Sequence, residues 1–309
     1  MPLYATILRK LSRLSILSDP RSWWFYAQRR VMGIDTRAKA AAWLARRRPR
    51  AAFASDAAAR AAAVAAMQSD GFVPIDHRLS PAAIAEMVTY LRGQPVFASY
   101  ERKPRPTMID DPDLPDSHVL FHDPEAVVRC PHALAIANDP RVLDVIRGLF
   151  GCEPTIGFMT AWWSIPTKDG VPRQAENFHR DVDDMAFIKM FLYLSDVGED
   201  TGPHVYMRGS HADDRLLSIG RFEDSRVFGT FGDNAVVEFR GPAGTSFLEN
   251  TFGLHRGRPV VAGKRLIFQV VYSLFPLVYS PRKPVARSSD FAGLALDPWI
   301  NRVYVAPGR

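Results

Sequence analysis

Cysteine is scarce in this chain, because Cys130 and Cys152 are the only two among 309 residues. Two cysteines cannot form the disulfide framework of a small secreted domain, so we expect two free thiols in a reducing compartment, the cytoplasm. Apolar residues make up 47% of the chain, enough for a sizeable core. They never form an uninterrupted run of about 18, so no transmembrane helix is predicted. The first residues also lack the pattern of a signal peptide.

Acidic residues are rare at the start of the chain. Residues 1–50 contain twelve Lys or Arg but only two acids, Asp19 and Asp35. The whole chain has a net charge of +6, so the remainder is net acidic and the high pI of about 9.4 belongs to the first segment. We therefore expect a basic helical extension over residues 1–50. Residues 51–309 are expected to form the main domain, with an irregular, Pro-rich tail.

Two arrangements suit this basic extension. Apolar residues recur at helical spacing between Tyr4 and Leu14, and an aromatic run at 23–26 stands beside arginines. Such a segment suits a helix that lies through residues 1–30 on an anionic membrane, at its inner face. It equally suits a helix packed against the main domain, and the sequence leaves both open. Nucleic acid is not an expected partner, because no binding motif occurs and the main domain is acidic.

A histidine and an aspartate, His179 and Asp181, precede a long apolar run at 186–194. In extended backbone, residues i and i+2 point to the same side, so both can reach one metal ion while Arg180 points away. A second imidazole comes from His255. Two imidazoles and one carboxylate form the facial triad of non-haem Fe(II) oxygenases, which is the leading hypothesis for this chain.

Two basic residues are candidates for binding a carboxylate co-substrate. Arg265 follows His255 by ten residues and opens an apolar strand. Its guanidinium can grip a carboxylate with two bonds. Lys189 is the only charge between Asp184 and Asp196, in the middle of an apolar strand. A buried ammonium needs a partner, either a bound co-substrate or an internal Asp or Glu; otherwise Lys189 lies on a solvated face.

The remaining pattern is that of short elements around these motifs. Helices are predicted at 38–48, 56–69, 80–93 and 140–151, and a strand at 72–75. Residues 100–128, rich in Pro and Asp, are predicted to be a loop over the mouth of the domain. Histidines outside the triad are expected to be structural, namely His77, His118, His122 and His132, whereas His211 should bond backbone at its turn.

The order of these motifs resembles the phytanoyl-CoA dioxygenase family of Fe(II)- and 2-oxoglutarate-dependent oxygenases, over roughly residues 56–275. The matching pieces are AWWSIP at 161–166, HRD at 179–181, FLYLSDV at 191–197, GPHVYMRGSH at 202–211 and GLHRG…KR at 253–265. The resemblance implies a mainly β fold with flanking helices (α+β), the double-stranded β-helix or jelly roll.

The resemblance also implies a chemistry. His179, Asp181 and His255 would bind Fe(II), and Arg265 would bind the distal carboxylate of 2-oxoglutarate. Some members have a small polar residue where this chain has Gly257, so that contact is missing or supplied elsewhere. With O2, 2-oxoglutarate would be decarboxylated to succinate while an unactivated C–H of a small-molecule, lipid or glycan substrate is hydroxylated. Because the carboxylate ligand is present, hydroxylation is favoured over halogenation.

Two other functions compete with this hypothesis. One is a non-catalytic, membrane-associated jelly roll that binds a lipid or glycan. The presence of all three candidate metal ligands argues against it. The other is a cupin-type metal enzyme that does not use 2-oxoglutarate, against which the position of Arg265 argues. Iron-dependent release of succinate from 2-oxoglutarate would separate the first hypothesis from both.

Overall fold

The computed structural model describes residues 19–77, 79–98 and 104–308, which form antiparallel sheets flanked by helices, an α+β arrangement. The helices are α1 (Pro20–Gln28), α2 (Ile34–Ala45), α3 (Ala57–Ser69), α4 (Pro81–Arg92), α5 (Pro124–Arg129), α6 (Ala133–Ala137), α7 (Pro140–Phe150), α8 (Asp224–Phe231) and α9 (Pro298–Asn301). The strands are β1 (Phe72–Ile75), β2 (Val96–Ala98), β3 (Pro106–Thr107), β4 (Val119–His122), β5 (Thr155–Ser164), β6 (Phe187–Tyr193), β7 (His204–Met207), β8 (Val236–Phe239), β9 (Ser246–Glu249), β10 (His255–Gly257), β11 (Arg265–Ser273), β12 (Ala286–Arg287) and β13 (Val305–Ala306).

The main sheet has the strand order β1-β9-β6-β11-β5-β4-β2-β3, and a smaller sheet has the order β10-β7-β8. Strand side chains alternate between the two faces of a sheet. On β11, Leu266, Phe268 and Val270 point to the helix side and join the large core. Arg265 and Ile267 point to the opposite side and line a cavity. The main sheet therefore separates a helix-covered core from the cavity.

The two sheets meet through an aromatic cluster. Phe191, Tyr193 and Phe247 from the main sheet pack with Tyr206 and Phe239 from the smaller one. The rings of Phe239 and Phe247 are stacked, with centroids 3.8 Å apart. Burial of several aromatic side chains at one contact contributes strongly to stability, so this cluster fixes the distance between the sheets.

Most of the predicted helix boundaries are confirmed. Asp56 accepts a hydrogen bond from the backbone N–H of Ala59, and Ser80 accepts one from Ala83, as expected of N-cap residues. Gly151 ends α7 with φ +72°, a left-handed conformation that glycine adopts without strain. The helix predicted at 38–48 instead begins at residue 34 and ends at residue 45.

The prediction of a loop at 100–128 was wrong for part of the described segment, which contains two strands and the start of a helix. β4 pairs with both β2 and β5, β3 pairs with β2, and α5 begins at residue 124. A four-residue strand between Asp- and Pro-rich stretches gives too short a pattern to recognise. The tail is mainly irregular, as predicted, but it also contains α9 and the parallel pair of β12 and β13. Both cysteines are free and buried, which confirms that prediction.

The described part of the basic extension packs against the main domain. Trp24 Nε1 donates to Asp184 Oδ1 at 2.7 Å, and Gln28 Nε2 donates to the Val182 carbonyl at 2.7 Å. Arg37 is buried and donates to the carbonyls of Val31 and Asp184. This is the second of the two arrangements predicted for the extension, and it brings α1 and α2 against the segment that follows the HRD triplet.

Membrane contact of the extension stays a prediction. The amphipathic pattern between Tyr4 and Leu14 lies outside the described residues. On α1, Trp23 and Tyr26 face outward and are 56% and 52% exposed. Within residues 19–77, 79–98 and 104–308, no helix combines the length and the apolar character that crossing a bilayer requires.

Candidate active site

Three residues of the sequence motifs converge at one end of the cavity, named here the metal end. The ligating atoms of His179, Asp181 and His255 lie within 4.8 Å of one another. His179 and His255 face each other because their backbones form an antiparallel bridge with two 3.0 Å hydrogen bonds. Asp181 donates its backbone N–H to the Thr251 carbonyl at 2.9 Å. This geometry, with two imidazoles and one carboxylate, can hold a metal ion.

Backbone carbonyls orient both imidazoles. His179 Nδ1 lies 2.9 Å from the Asn177 carbonyl, and His255 Nδ1 lies 3.0 Å from the Gly253 carbonyl. A carbonyl can only accept, so each Nδ1 carries the proton and each Nε2 is left as the ligating atom. The Nε2 atoms lie toward the carboxylate, 3.6 Å from Asp181 Oδ1 for His179 and 3.2 Å from Oδ2 for His255. These two carbonyls thus fix the tautomer that metal binding needs.

The electrostatics of the metal end favour an ionised carboxylate and a neutral first histidine. Burial lowers the pKa of His179 to about 3, with His255 acting in the same direction. Burial alone would raise the pKa of Asp181, but Lys189 and His255 outweigh it and hold that pKa well below its ordinary value. For His255, burial is outweighed by Asp181, which raises its pKa. These protonation states suit metal ligation by His179 and Asp181.

Lys189 lies at the metal end and pairs with internal acids. Its Nζ is 2.6 Å from Asp181 Oδ2 and 3.0 Å from Asp183 Oδ2. Despite burial, the two carboxylates raise its pKa, so the ammonium stays charged. The internal acid is thus the partner that the structure shows, while a contact with a co-substrate stays a prediction.

Arg265 lies at the other end of the cavity floor, named here the arginine end. The register of β11 on β5 places it opposite Ser164, whose Oγ accepts from Nη2 at 3.0 Å. Arg265 Nε and Nη1 are buried and have no hydrogen-bond partner among the described residues. A buried donor without a partner costs about 1–3 kcal/mol. A carboxylate at this place would satisfy both donors, so the residue fits the role predicted for it.

The two ends share one cavity of about 600 Å³. Its floor is the inward face of β5, β6 and β11, where alternate residues point away from the helix-covered core. Its lining includes five aromatic side chains, those of Phe121, Phe158, Trp162, Phe191 and Tyr279. A volume of this size is that of a small-molecule site, and aromatic walls exclude water from it.

The sequence did not identify several residues of the site. His204 lines the cavity and stacks on His255 with ring centroids 5.6 Å apart. Its Nε2 lies 2.9 Å from the fully buried Glu249. Burial lowers the pKa of His204 and raises the pKa of Glu249 to about 8, so it disfavours the charged form of both side chains. A signal for this pair was present in the sequence, because Glu249 is an acidic residue at the end of a short apolar strand.

Two further residues of the cavity wall were interpreted differently or overlooked. His118, predicted to be structural, lines the cavity, and burial lowers its pKa to about 4. Asp183 also lines the cavity, and the alternation that selected His179 and Asp181 would have selected it as well. His211 bonds the Gln68 carbonyl at 3.2 Å, as predicted for its turn.

Arg180 points away from the metal end, as the strand alternation predicted. Its guanidinium is buried and donates to backbone carbonyls, namely those of Ser210, Asp213, Arg215, Leu216 and Phe252. It therefore ties the loops beside the metal end together, and the middle residue of the HRD triplet has a structural role.

Comparisons with known proteins place the fold. No family model matches the chain, and no curated protein matches it. A similar solved structure is EctD from S. alaskensis with 2-oxoglutarate and 5-hydroxyectoine, at 20% identity and a TM-score of 0.51, over 84% of this chain and 94% of that one. Another is the non-heme alpha ketoglutarate dependent epimerase SnoN from nogalamycin biosynthesis, at 17% identity and a TM-score of 0.52, over 70% and 84%. At these identities the similarity shows a shared fold.

Proposed function

We propose that this protein is an Fe(II)- and 2-oxoglutarate-dependent oxygenase of the phytanoyl-CoA dioxygenase family, with the double-stranded β-helix fold. The proposal is supported by the order of motifs from HRD to the second histidine and the arginine. It is also supported by two antiparallel sheets that enclose the site, and by the fold shared with two proteins whose names include 2-oxoglutarate or alpha ketoglutarate.

One observation carries the proposal: a three-residue metal site and a buried arginine with unsatisfied donors face the same cavity. A metal site alone would suit a cupin-type enzyme that does not use 2-oxoglutarate. A jelly roll that only binds lipid or glycan would need neither feature. Two buried guanidinium nitrogens of Arg265, Nε and Nη1, lack a partner among the described residues, and such donors are what an anionic co-substrate requires.

The residues of the chain would divide the work between the two ends. His179, Asp181 and His255 would hold the iron, which when bound supplies the activation of O2. Arg265 would bind and orient the distal carboxylate of 2-oxoglutarate, with Ser164 beside it in place of the hydroxyl that Gly257 cannot offer. The aromatic walls would exclude water and hold the substrate against the metal end.

We further propose that the reaction hydroxylates an unactivated C–H of a small molecule, a lipid or a glycan. Asp181 supplies the carboxylate ligand whose place a halide takes in related halogenases, so hydroxylation is favoured over halogenation. A cavity of about 600 Å³ with aromatic walls suits a substrate with an apolar body. The 5-hydroxyectoine in the EctD structure is an example of a hydroxylated small molecule in a protein of this fold.

The test is succinate formation by protein purified without oxygen and loaded with Fe(II). We expect succinate to form from 2-oxoglutarate when air is admitted, and not to form with Zn(II) in place of Fe(II). Metal binding without succinate formation would favour the cupin-type alternative. Absence of both metal binding and succinate formation would favour a binding protein. Mass spectrometry of cell extracts made with and without active enzyme would then show whether a metabolite gains one oxygen.

The contact of residues 1–30 with an anionic membrane is a separate proposal. It is supported by Trp23 and Tyr26, which are exposed on α1, and by the excess of basic over acidic residues in this segment. Sedimentation with anionic vesicles tests it. We expect binding at low salt that weakens as salt rises, because each basic residue near such a surface contributes only about 1 kcal/mol. Equal sedimentation with neutral and anionic vesicles would contradict it.

A further inference from the structure

Three alternate residues of one segment, His179, Asp181 and Asp183, reach the cavity. The residues between them point elsewhere. Arg180 bonds backbone carbonyls, and Val182 is fully buried in an apolar cluster. The segment therefore presents one imidazole and two carboxylates to the metal end, although Asp183 does not belong to the three-residue metal cluster.

Lys189 touches both of these carboxylates. From its place on β6 its Nζ contacts Asp181 at 2.6 Å and Asp183 at 3.0 Å. All three side chains are largely buried, with exposed fractions of 12%, 20% and 10% for Lys189, Asp181 and Asp183. Buried carboxylates require a countercharge, and a single ammonium serves both.

Without Lys189, Asp183 would lose its ion-pair partner at 3.0 Å, and a metal ion held by His179, Asp181 and His255 would be a countercharge in the same cavity. A hard divalent cation accepts carboxylate oxygens readily, and Asp183 sits two residues from an existing ligand on the same side of the chain. If Asp183 joined the ion, it would occupy a position that an oxygenase keeps open. The metal would be held at least as well, but the co-substrate would lose a place to bind.

We propose that Lys189 keeps Asp183 from becoming a fourth protein ligand, and so preserves the open coordination positions of the metal end. This inference rests on the proposed function and assigns Lys189 a positioning role toward two carboxylates of this chain. It differs from a direct role in binding 2-oxoglutarate, for which Arg265 has the unsatisfied donors.

The experiment compares metal and co-substrate affinities in four proteins: wild type, Lys189→Met, Asp183→Asn and the double variant. Binding of Co(II), and then of 2-oxoglutarate to the Co(II)-loaded protein, is measured by calorimetry without oxygen. In Lys189→Met we expect Co(II) affinity to be retained and 2-oxoglutarate affinity to fall by about tenfold or more, because a fourth protein ligand competes with it for a coordination position. The visible spectrum of Co(II) should change as a fourth protein ligand joins it.

The double variant gives the decisive result, because it removes both the ammonium of Lys189 and the carboxylate of Asp183. We expect 2-oxoglutarate affinity to return to within about threefold of wild type, on a scale where tenfold equals 1.4 kcal/mol. Lys264→Met is the matched control. Lys264 precedes Arg265 in the sequence, is exposed and donates to the Ile109 carbonyl, so its loss should change neither Co(II) affinity nor 2-oxoglutarate affinity. If Lys189→Met does not fold, Lys189→Gln, which keeps a polar group of similar length, takes its place.

Three results would overturn the inference. A double variant as weak for 2-oxoglutarate as Lys189→Met would show that Lys189 binds the co-substrate itself. A Lys189→Met protein that loses Co(II) would show that Lys189 mainly holds Asp181 in place. Unchanged 2-oxoglutarate affinity in Lys189→Met would show that Asp183 does not compete. Wild-type protein that binds Co(II) but no 2-oxoglutarate would instead overturn the proposed function.

Discussion

The two ends of the cavity hold their charges in different ways. At the metal end, Asp181 and Asp183 already share the ammonium of Lys189. At the arginine end, Arg265 has one hydroxyl partner and two buried N–H groups without one among the described residues. An end whose side chains satisfy one another can hold its shape before anything binds. An end with unsatisfied donors is complete only when an anion arrives.

The two ends also differ in the structure that supports them. The arginine end rests on the paired strands β5 and β11, whose register fixes each inward side chain. The metal end rests partly on the non-helical segment 179–184, which α1 and α2 hold from outside through Trp24, Gln28 and Arg37. The metal end thus depends on side-chain contacts with two helices, and the arginine end on the backbone register of two paired strands.

The largest effect is expected from removing a ligand at the metal end. Asp181→Ala should abolish both tight metal binding and succinate formation, because two imidazoles alone hold the ion weakly and Lys189 would then carry its charge with one partner fewer. Metal content after anaerobic loading is the measurement. Full activity in Asp181→Ala would contradict the assignment of the triad, and with it the distinction between the two ends.

The next effect belongs to the arginine end. Arg265→Met should weaken 2-oxoglutarate binding by about 10²- to 5 × 10³-fold, since an anion left without its buried partner costs roughly 3–5 kcal/mol. Metal affinity should change little, because Arg265 is not among the three ligands. Calorimetry of both ligands with the same protein is the measurement. Equal losses of metal and co-substrate affinity would show that the two ends are not separate.

A smaller effect should come from the helix that supports the metal end. Burial raises the pKa of Asp184 to about 6, although Trp24 Nε1 and the backbone N–H groups of Met185 and Phe275 donate to it. A carboxyl with a raised pKa in the folded state costs stability once it ionises, so the fold loses stability as pH rises from its unfolded pKa toward 6. The donors limit that cost.

Trp24→Phe removes one of these donors and keeps most of the ring. We expect a loss of about 1–3 kcal/mol in the free energy of unfolding, larger at pH 8 than at pH 5 because the donor matters most to the ionised carboxylate. Trp23→Phe on the exposed face of α1 is the matched control and should change little. Equal losses at the two pH values would contradict the role of Asp184.

The same difference explains how much the sequence could predict. The arginine end could be predicted from the sequence because Arg265 opens an apolar strand, and strand alternation decides which side chains face inward. The position of Lys189 could be predicted for the same reason. Its partner could not, because several acids were candidates. The contacts of α1 span about 150 residues of chain, and no local pattern encodes them. His204 and Glu249 meet only when two sheets close on each other.

The smallest effect should come from Ser164, which tests how the arginine end is completed. Gly257 offers no hydroxyl, and the Cβ of any residue there would lie 3.4 Å from Arg265 Nη2. Ser164 Oγ accepts from that same nitrogen at 3.0 Å and so orients the guanidinium, whose Nε and Nη1 have no partner among the described residues. Ser164→Ala should weaken 2-oxoglutarate binding about two- to tenfold, the effect of one net hydrogen bond of about 0.5–1.5 kcal/mol. Thr160→Val, at another inward position of β5, is the control. A loss as large as that of Arg265→Met would mean that the hydroxyl contacts the co-substrate in its own right, and no loss would mean that the strand register alone orients the arginine.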